Sequence, residues 1–276
     1  MEQTINGLNI QCEGTYVDAT YGAGGHAQRI LEKIEKGRLI AFDQDEDVQQ
    51  NLIEDERLIF IRHNFRFMKN FLNYLGFDRI DGILADLGVS SHHLDAPERG
   101  FSFRFNAPLD MRMNRHASLT ARHVVNTYSA RALYDILTTY GDIRKARVLV
   151  NAILEQRKKK EITTTSMLVE TLKDCIPVKN RNKFLAKVFQ ALRIEVNKEI
   201  QNLKCFLQQS SELLKNGGRL AVISYHSVED RMVKNFMKSG QFSGELEKDF
   251  YGHTTTPFVL INKRVIVPSD DEIRDN

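Results

Sequence analysis

Glycines and a carboxylate are spaced in this sequence as a nucleoside-binding site requires. The segment Gly22-Ala-Gly24-Gly25 follows a short apolar run and precedes a helical pattern, and Asp43 stands 21 residues after Gly22. Glycines let the main chain approach a ligand closely, and a carboxylate at the end of the second strand accepts hydrogen bonds from ribose hydroxyls. The spacing therefore predicts that these glycines and Asp43 bind a nucleoside.

The same loop favours S-adenosylmethionine over a dinucleotide. The dinucleotide fingerprint has a third glycine where this chain has His-Ala-Gln. No Gly-Lys-Ser/Thr follows the loop, which excludes a Walker-type phosphate site. Carboxylates at three predicted strand ends, Asp18, Asp43 and Asp86, suit a sulfonium cation better than a diphosphate.

The reaction site is expected just outside the fourth predicted strand, where Asp86 is followed by Ser90 and Ser91. Open α/β sheets bind ligands at the carboxyl ends of their strands. Methyl transfer is an in-line displacement, so the enzyme mainly holds the nucleophile against the sulfonium and excludes water. An aromatic amine is a poor nucleophile because its lone pair is delocalised into the ring. Either Asp86 or a neighbouring backbone carbonyl is expected to accept its N–H, and a strand-end cap is the alternative for Asp86.

The positions of two aromatic side chains just after other predicted strands suggest roles for them in the site. Phe65, just past the third strand, either flanks an adenine or belongs to the core. His226 follows the fifth strand and is expected, with Ser224, Ser227 and Glu229, to line a pocket for the target base. No G-x-S-x-G elbow accompanies His226, so a hydrolase triad is not indicated.

Short apolar strands alternate with helical patterns and must position these residues. The predicted strands are 15–18, 38–43, 58–62, 80–85 and 219–224, with a late edge strand at 258–267. This alternation predicts an α/β fold with a mostly parallel, Rossmann-like sheet. Between 97 and 190 only helical signals occur, with expected N-caps at Ser118, Ser129 and Ser166. One long amphipathic helix then runs to Gly217.

These signals divide the chain into a discontinuous α/β domain and an insertion. We expect the α/β domain to comprise residues 1–97 and 191–276. A helical domain at 98–190 is expected to interrupt it and to recognise the substrate. Residues 141–219 carry 17 basic against 8 acidic residues, although the net charge of the chain is only +3. This stretch either contacts a polyanion or is an unevenly solvated surface.

Composition excludes several classes of protein and of metal site. Among the 276 residues, Cys12, Cys175 and Cys205 are too few and too far apart for a disulfide framework or a paired-cysteine zinc site. No apolar run approaches the roughly 20 residues that a membrane-spanning helix needs. We therefore expect a cytoplasmic protein without a metal or a membrane partner.

Six sequence blocks, in order along nearly the whole chain, resemble the RsmH (MraW) family of methyltransferases. They are VDATYGAGGH at 17–26, DGILADLGVSS at 81–91, ERGFSF at 98–103, PLDMRM at 108–113, FQALR at 189–193 with VN at 196–197, and SYHSVEDR at 224–231. The combination is specific, because chance agreement of all six blocks is not credible.

The resemblance implies N4-methylation of one cytidine in the decoding region of small-subunit (16S) ribosomal RNA. It also implies a class I S-adenosylmethionine-dependent methyltransferase fold interrupted by a helical domain, and the small ribosomal subunit as partner. By the family's pattern, the cofactor contacts are Gly24, Gly25, His26, Asp43, Phe65, Asp86 and His93, where the family usually has Gln at the last position. A homo-oligomer is compatible with the sequence but is not indicated by it.

Two rival functions stay open at this stage. One is an aminomethyltransferase acting on DNA or protein, although such enzymes carry a D/S-P-P-Y/W tetrapeptide where this chain has Asp-Leu-Gly-Val. The other is a cofactor-binding ribosome-assembly module without turnover. The family's His-x-Pro-Val-Leu opening and its basic tail are both expected to be missing from this chain.

Overall fold

Five parallel strands form the central sheet. The computed structural model describes residues 1–90, 95–177, 179–246, 250–251, 256–262 and 264–267. The strands are β1 (Thr15–Asp18), β2 (Arg38–Asp43), β3 (Leu58–Arg62), β4 (Ile80–Asp86) and β5 (Leu214–Ile223). They lie in the order β3-β2-β1-β4-β5, and each neighbouring pair is parallel. The predicted Rossmann-like sheet is therefore confirmed.

Helices connect the strands and fill the region between β4 and β5. Those in the described residues are α1 (Glu2–Gly7), α2 (Gly25–Leu31), α3 (Met68–Tyr74), α4 (Ala121–Thr127), α5 (Ala130–Thr139), α6 (Ala146–Lys159), α7 (Thr165–Leu172), α8 (Arg181–Asn197), α9 (Glu199–Leu213) and α10 (Ser227–Ser239). None of the helices in these described residues is long and apolar enough to cross a membrane.

The register of the strands sets where their carboxylates lie. Asp18 pairs with Ala41 on β2 and with Leu84 on β4. Asp43 and Asp86 therefore lie two residues farther along their strands, about 7 Å beyond Asp18 at the usual rise per residue. The strands before these carboxylates are apolar and buried, as a parallel sheet covered by helices requires. The three acidic side chains consequently share one edge of the sheet.

Two hydrophobic clusters organise the chain up to α9. One packs α1 and α2 against the sheet and includes the fully buried Leu39 and Leu84. The other extends from Phe101 to Val196 and is built by helices α4 to α8. Residues between β4 and β5 thus have an apolar core of their own. The boundaries of the insertion at 98 and 190 stay a prediction.

A buried arginine connects this helical region to the sheet. The Arg99 side chain is 4% exposed, and its Nη1 lies 3.0 Å from Asp45 and 2.6 Å from Asp47, which follow β2. Its Nη2 donates to the carbonyls of Arg112 and Met113, each at 3.0 Å. One guanidinium therefore links the start of the helical region, a later loop of it, and the β2–β3 connection.

By its internal contacts the chain divides into two units, Met1–Val228 and Glu229–Asn276. In the second unit, Phe236 stacks on Phe242 at 4.8 Å between ring centroids and meets Phe258 edge-on at 6.2 Å. The predicted edge strand at 258–267 is wrong for the residues described there, 258–262 and 264–267, which form no strand. Their β-branched side chains match strand composition, but a strand also needs a hydrogen-bonded neighbour, and all of these residues except the half-buried Phe258 are exposed.

Local details also differ from the sequence-based expectations. Ser129 caps α5 as predicted, whereas Thr120 and Thr164 cap the helices for which Ser118 and Ser166 were expected. Ser and Thr satisfy the same backbone donors, so composition alone does not choose between near neighbours. The long helix is broken at Lys198, which has a left-handed φ of 52°. Neither glycine nor proline marks this break.

Replacing Arg99 by alanine is expected to destabilise the chain by about 3–5 kcal/mol, because it leaves two carboxylates without their buried partner. The matched control is Arg29→Ala, which breaks an exposed pair with Glu32 and is expected to change stability by less than about 1 kcal/mol. Urea unfolding measures both changes. Equal, small losses for the two variants would contradict this account of Arg99.

Candidate active site

The glycine loop after β1 is fixed by Asp43 at the end of β2. Gly22 and Gly24 have φ values of 54° and 82°, a region that glycine adopts at little cost. Asp43 Oδ2 accepts the Gly22 N–H at 2.9 Å, and its Oδ1 accepts the Asp45 N–H at 2.9 Å. The structure thus brings together the loop and the carboxylate that the sequence assigned to one nucleoside site.

Asp86 at the end of β4 is held from three directions. Its backbone N–H donates to Thr20 Oγ1 at 2.7 Å, which joins β4 to the segment after β1. The Tyr225 hydroxyl donates to Asp86 Oδ1 at 2.9 Å, and His26 Nδ1 lies 3.8 Å from Oδ2. Its carboxylate is therefore oriented from both sides, while Tyr225 itself is 68% exposed. Tyr225 lies against Gly88, where an added Cβ would come within 3.3 Å of the ring.

Asp18 lies behind this site and is fully buried. The Thr20 N–H donates to its Oδ1 at 3.1 Å, and its Oδ2 has no hydrogen-bond partner among the described residues. The pKa of Asp18 is raised to about 7, chiefly by burial and in addition by the negative charges of Asp43 and Asp86, against the Thr20 hydrogen bond. Burial therefore keeps the Asp18 carboxyl partly protonated at neutral pH.

His26 opens α2 on the opposite side of Asp86. Burial lowers the pKa of its imidazole, and the nearby Asp86 carboxylate acts in the other direction. Its Nε2 is buried and has no hydrogen-bond partner in the part of the chain that is described. Buried polar atoms in native proteins are normally hydrogen-bonded, so two unsatisfied atoms at one edge, on Asp18 and His26, indicate a site for a polar ligand.

The topology of the sheet places this edge where ligands bind in α/β proteins. β1 pairs with β2 on one side and with β4 on the other, because the chain crosses over β1 after β3. Such a reversal of strand order opens a crevice outside the carboxyl ends of the strands. Asp18 and Asp86 end the two strands that border the crevice.

The other predicted site residues differ in burial and in surroundings. Phe65 begins a short turn after β3, is half-buried, and packs edge-on against the buried Phe206, with 5.3 Å between centroids. Ser90 is half-buried beyond β4, and His226 is half-buried beyond β5. Ser91 and His93 lie outside the described residues.

Sequence reasoning missed two of the residues that shape the site. Tyr225 stands inside the block SYHSVEDR, but the residue types of that block assigned only its serines, its histidine and Glu229 to the pocket. Thr20 occupies a position in the glycine loop whose side-chain contact becomes visible only when β1 and β4 are paired. Tyr225 stands two residues after the end of β5, and only the pairing of β5 with β4 brings it next to the acidic end of β4.

Comparison with known proteins decides the family. The model of the MraW methylase family matches residues 1–276. The chain belongs to the MraW methylase family. Two relatives, each named ribosomal RNA small subunit methyltransferase H, come from Bacteroides thetaiotaomicron and Flavobacterium johnsoniae. They are 50% and 52% identical to this chain over 277 residues, and each alignment covers 100% of this chain and 91% of the relative.

Membership of the MraW methylase family confirms the resemblance inferred from the six sequence blocks. It also agrees with the parallel sheet, since a methyltransferase fold of class I was expected for this family. The glycine loop, Asp43, His26 and Asp86 all fall within the matched residues and meet at one edge of that sheet.

The raised pKa of Asp18 predicts a pH-dependent penalty on the folded chain. Between the ordinary aspartate pKa of about 3.9 and about 7, the folded chain keeps a proton that the unfolded chain has lost. Raising the pH through this window therefore favours unfolding. Asp18→Asn cannot ionise, so its stability relative to the wild type is expected to rise by a few kcal/mol across the window.

Urea unfolding at several pH values measures this difference. Asp135→Asn, at an exposed pair with Arg131, is the matched control and should show no such trend. A stability difference between Asp18→Asn and the wild type that stays constant with pH would contradict the assignment.

Proposed function

We propose that the chain transfers a methyl group from S-adenosylmethionine to N4 of a cytidine in the decoding region of 16S ribosomal RNA. The observation that carries the proposal is Asp86, oriented by Tyr225 and His26 beside a glycine loop that Asp43 fixes. Membership of a methylase family supports the reaction class, and the names of the relatives support the small ribosomal subunit as the partner. Such an enzyme works in the cytoplasm.

The residues at the sheet edge fit the proposed methyl donor. S-adenosylmethionine, when bound, supplies an electrophilic methyl group on a positively charged sulfur. The loop of Gly22, Gly24 and Gly25 lets the backbone approach the methyl donor, and Asp43 accepts hydrogen bonds from its ribose hydroxyls. The unsatisfied Asp18 Oδ2 and His26 Nε2 offer buried polar atoms to the donor, and the acidic edge favours its positive charge. We assign Phe65 and His93 to the same site from the family pattern.

Asp86 then acts on the acceptor amine. One carboxylate oxygen accepts an N–H of the cytidine, which turns the nitrogen lone pair out of conjugation and toward the methyl group. As the new N–C bond forms and the C–S bond breaks, the amine becomes acidic and its proton leaves to Asp86. The Tyr225 hydroxyl stabilises the carboxylate beforehand, so little reorganisation is needed during transfer. Ser90, Ser91 and His226 are proposed to line the pocket of the base, which must be unstacked to enter it.

The helical region at 98–190 is proposed to bind the RNA. The helix α6 of this region ends in a basic run at 157–160, which is a candidate for phosphate contacts. Arg157 instead donates to the carbonyls of Val125 and Tyr128, at 3.1 and 2.8 Å, and so packs α6 against α4. Lys159 and Lys160, both exposed, are the residues of this group that we assign to phosphates.

Asp43→Ala is expected to weaken binding of S-adenosylhomocysteine by roughly 10- to 100-fold, the usual worth of hydrogen bonds to a charged group. The variant loses both the ribose acceptor and the bond that holds Gly22. Calorimetric titration measures the affinity, with Asp135→Ala as the surface control. An affinity equal to that of the wild type would contradict the role given to Asp43.

The reaction itself is tested with small ribosomal subunits from cells that lack this modification. After incubation with methyl-labelled S-adenosylmethionine, the RNA is digested and its modified nucleosides are identified. We expect label in N4-methylcytidine, abolished by Asp86→Ala and reduced roughly 10- to 100-fold by Tyr225→Phe, which removes a hydrogen bond to a charged group. Label in a different nucleoside, or full activity of Asp86→Ala, would contradict the proposal.

A further inference from the structure

A cavity lies beside the candidate active site. It has a volume of about 340 Å³, within the range of roughly 300–1,000 Å³ for ligand pockets. Its walls come from residues after β2 and β3, from the loop 114–117, and from the junction between α8 and α9. The described residues that line it do not include Asp43, Phe65 or Asp86. Gln44 and Asn64 of its lining are the sequence neighbours of Asp43 and Phe65, so the cavity adjoins the site proposed for the methyl donor.

The cavity contains a buried hydrogen-bond acceptor that the fold does not satisfy. Asn202, in the first turns of α9, is only 5% exposed. Its Nδ2 donates to the Asn197 carbonyl at 2.9 Å, whereas its Oδ1 has no partner among the described residues. A buried acceptor of this kind normally meets a donor from the protein, a water or a ligand. Because Asn202 lines the cavity, a ligand that enters it can supply this donor.

The charges around the cavity favour an anion. Arg62 and Arg66 line it, are exposed, and form no ion pair with any described carboxylate. On the facing loop, Arg115 lies 3.7 Å from Glu46 and 3.2 Å from Asp47, so its charge is already compensated. The uncompensated positive charge therefore belongs to the two arginines that follow β3. Arginine is well suited to phosphate because its guanidinium donates two parallel hydrogen bonds.

An exposed aromatic ring completes the wall. Phe67 is 37% exposed, although large apolar side chains are normally buried. The guanidinium of Arg66 lies 4.9 Å from the centre of its ring, and His63 meets it edge-on at 4.7 Å. Aromatic rings that stand beside arginines in this way are the usual platforms on which single-stranded nucleic acids stack their bases.

We propose that this cavity binds one unstacked nucleotide of the RNA substrate, in the same strand as the methylated cytidine. The base stacks on Phe67 and donates an N–H to Asn202 Oδ1, while Arg62 and Arg66 bind the adjacent phosphates. The inference rests on the proposed function for its choice of RNA as the ligand. It assigns a share of substrate binding to the β3 side of the sheet, in addition to the helical region and the pocket for the target base.

The test uses the full chain, a single-stranded RNA oligonucleotide with the target sequence, and S-adenosylhomocysteine. Arg62→Gln and Arg66→Gln are each expected to weaken RNA binding several-fold and to reduce the slope of log affinity against log salt by about 0.7. Phe67→Leu is expected to weaken it by about tenfold, through lost stacking. Arg38→Gln is the matched control, because Arg38 is an exposed arginine at the opposite end of β2. All four variants should bind S-adenosylhomocysteine as the wild type does.

Asn202→Leu removes the acceptor with little change of side-chain shape, and its thermal midpoint shows whether the chain still folds. The arginine and phenylalanine variants keep the proposal testable if it does not. RNA affinities equal to that of Arg38→Gln would overturn the proposal. Lost affinity for S-adenosylhomocysteine in the cavity variants would also overturn it, since the cavity would then belong to the cofactor. So would tight binding of free cytidine monophosphate that Arg62→Gln abolishes while RNA binding is unchanged.

The same experiments distinguish failure of the proposed function from failure of the proposed nucleotide site. If the wild type binds the oligonucleotide but leaves small subunits unmethylated, while the cavity variants still lose RNA affinity, the nucleotide site stands and the reaction assigned to the chain falls.

Discussion

The mutual repulsion of three carboxylates is the constraint on which the candidate site depends. Asp18, Asp43 and Asp86 end three neighbouring parallel strands, so the sheet holds them at one edge. Each is stabilised differently. Asp43 accepts hydrogen bonds from two backbone N–H groups, and Asp86 accepts one from the Tyr225 hydroxyl. Asp18 is fully buried and has a raised pKa. A positively charged ligand relieves this repulsion, which gives a physical reason for a sulfonium cofactor in a methylase.

A small set of buried polar contacts connects the helical region to the sheet. Arg99 joins its beginning to the β2–β3 connection, and Asn197 joins its end to a loop within it. The Asn197 side chain accepts the Met113 N–H and donates to the Met111 carbonyl, each at 2.8 Å. These contacts position the walls of the cavity next to the end of β3. They explain why blocks such as ERGFSF and PLDMRM, which carry no reacting group, belong to the family pattern.

Much of this arrangement could be predicted from the sequence because it is encoded locally. Apolar runs ending in Asp18, Asp43 and Asp86, each followed by turn residues, identify the strands and their carboxyl ends without any tertiary information. Tyr225, Asn202 and Arg99 could not be found in this way, since their partners lie between 54 and 139 residues away or arise from burial. The helix breaks at Lys198, next to Asn197, whose side chain binds a distant loop. The apolar periodicity continues across this break, and so it predicted one helix there.

Proton release on cofactor binding tests the central role of the carboxylates most directly. Calorimetric titration of the chain near neutral pH, in two buffers of different ionisation enthalpy, would compare S-adenosylmethionine with S-adenosylhomocysteine. The account predicts that both bind, and that the sulfonium ligand releases more protons, because its charge lowers the pKa of Asp18. Saturable binding with the same heat in both buffers for both ligands would contradict it.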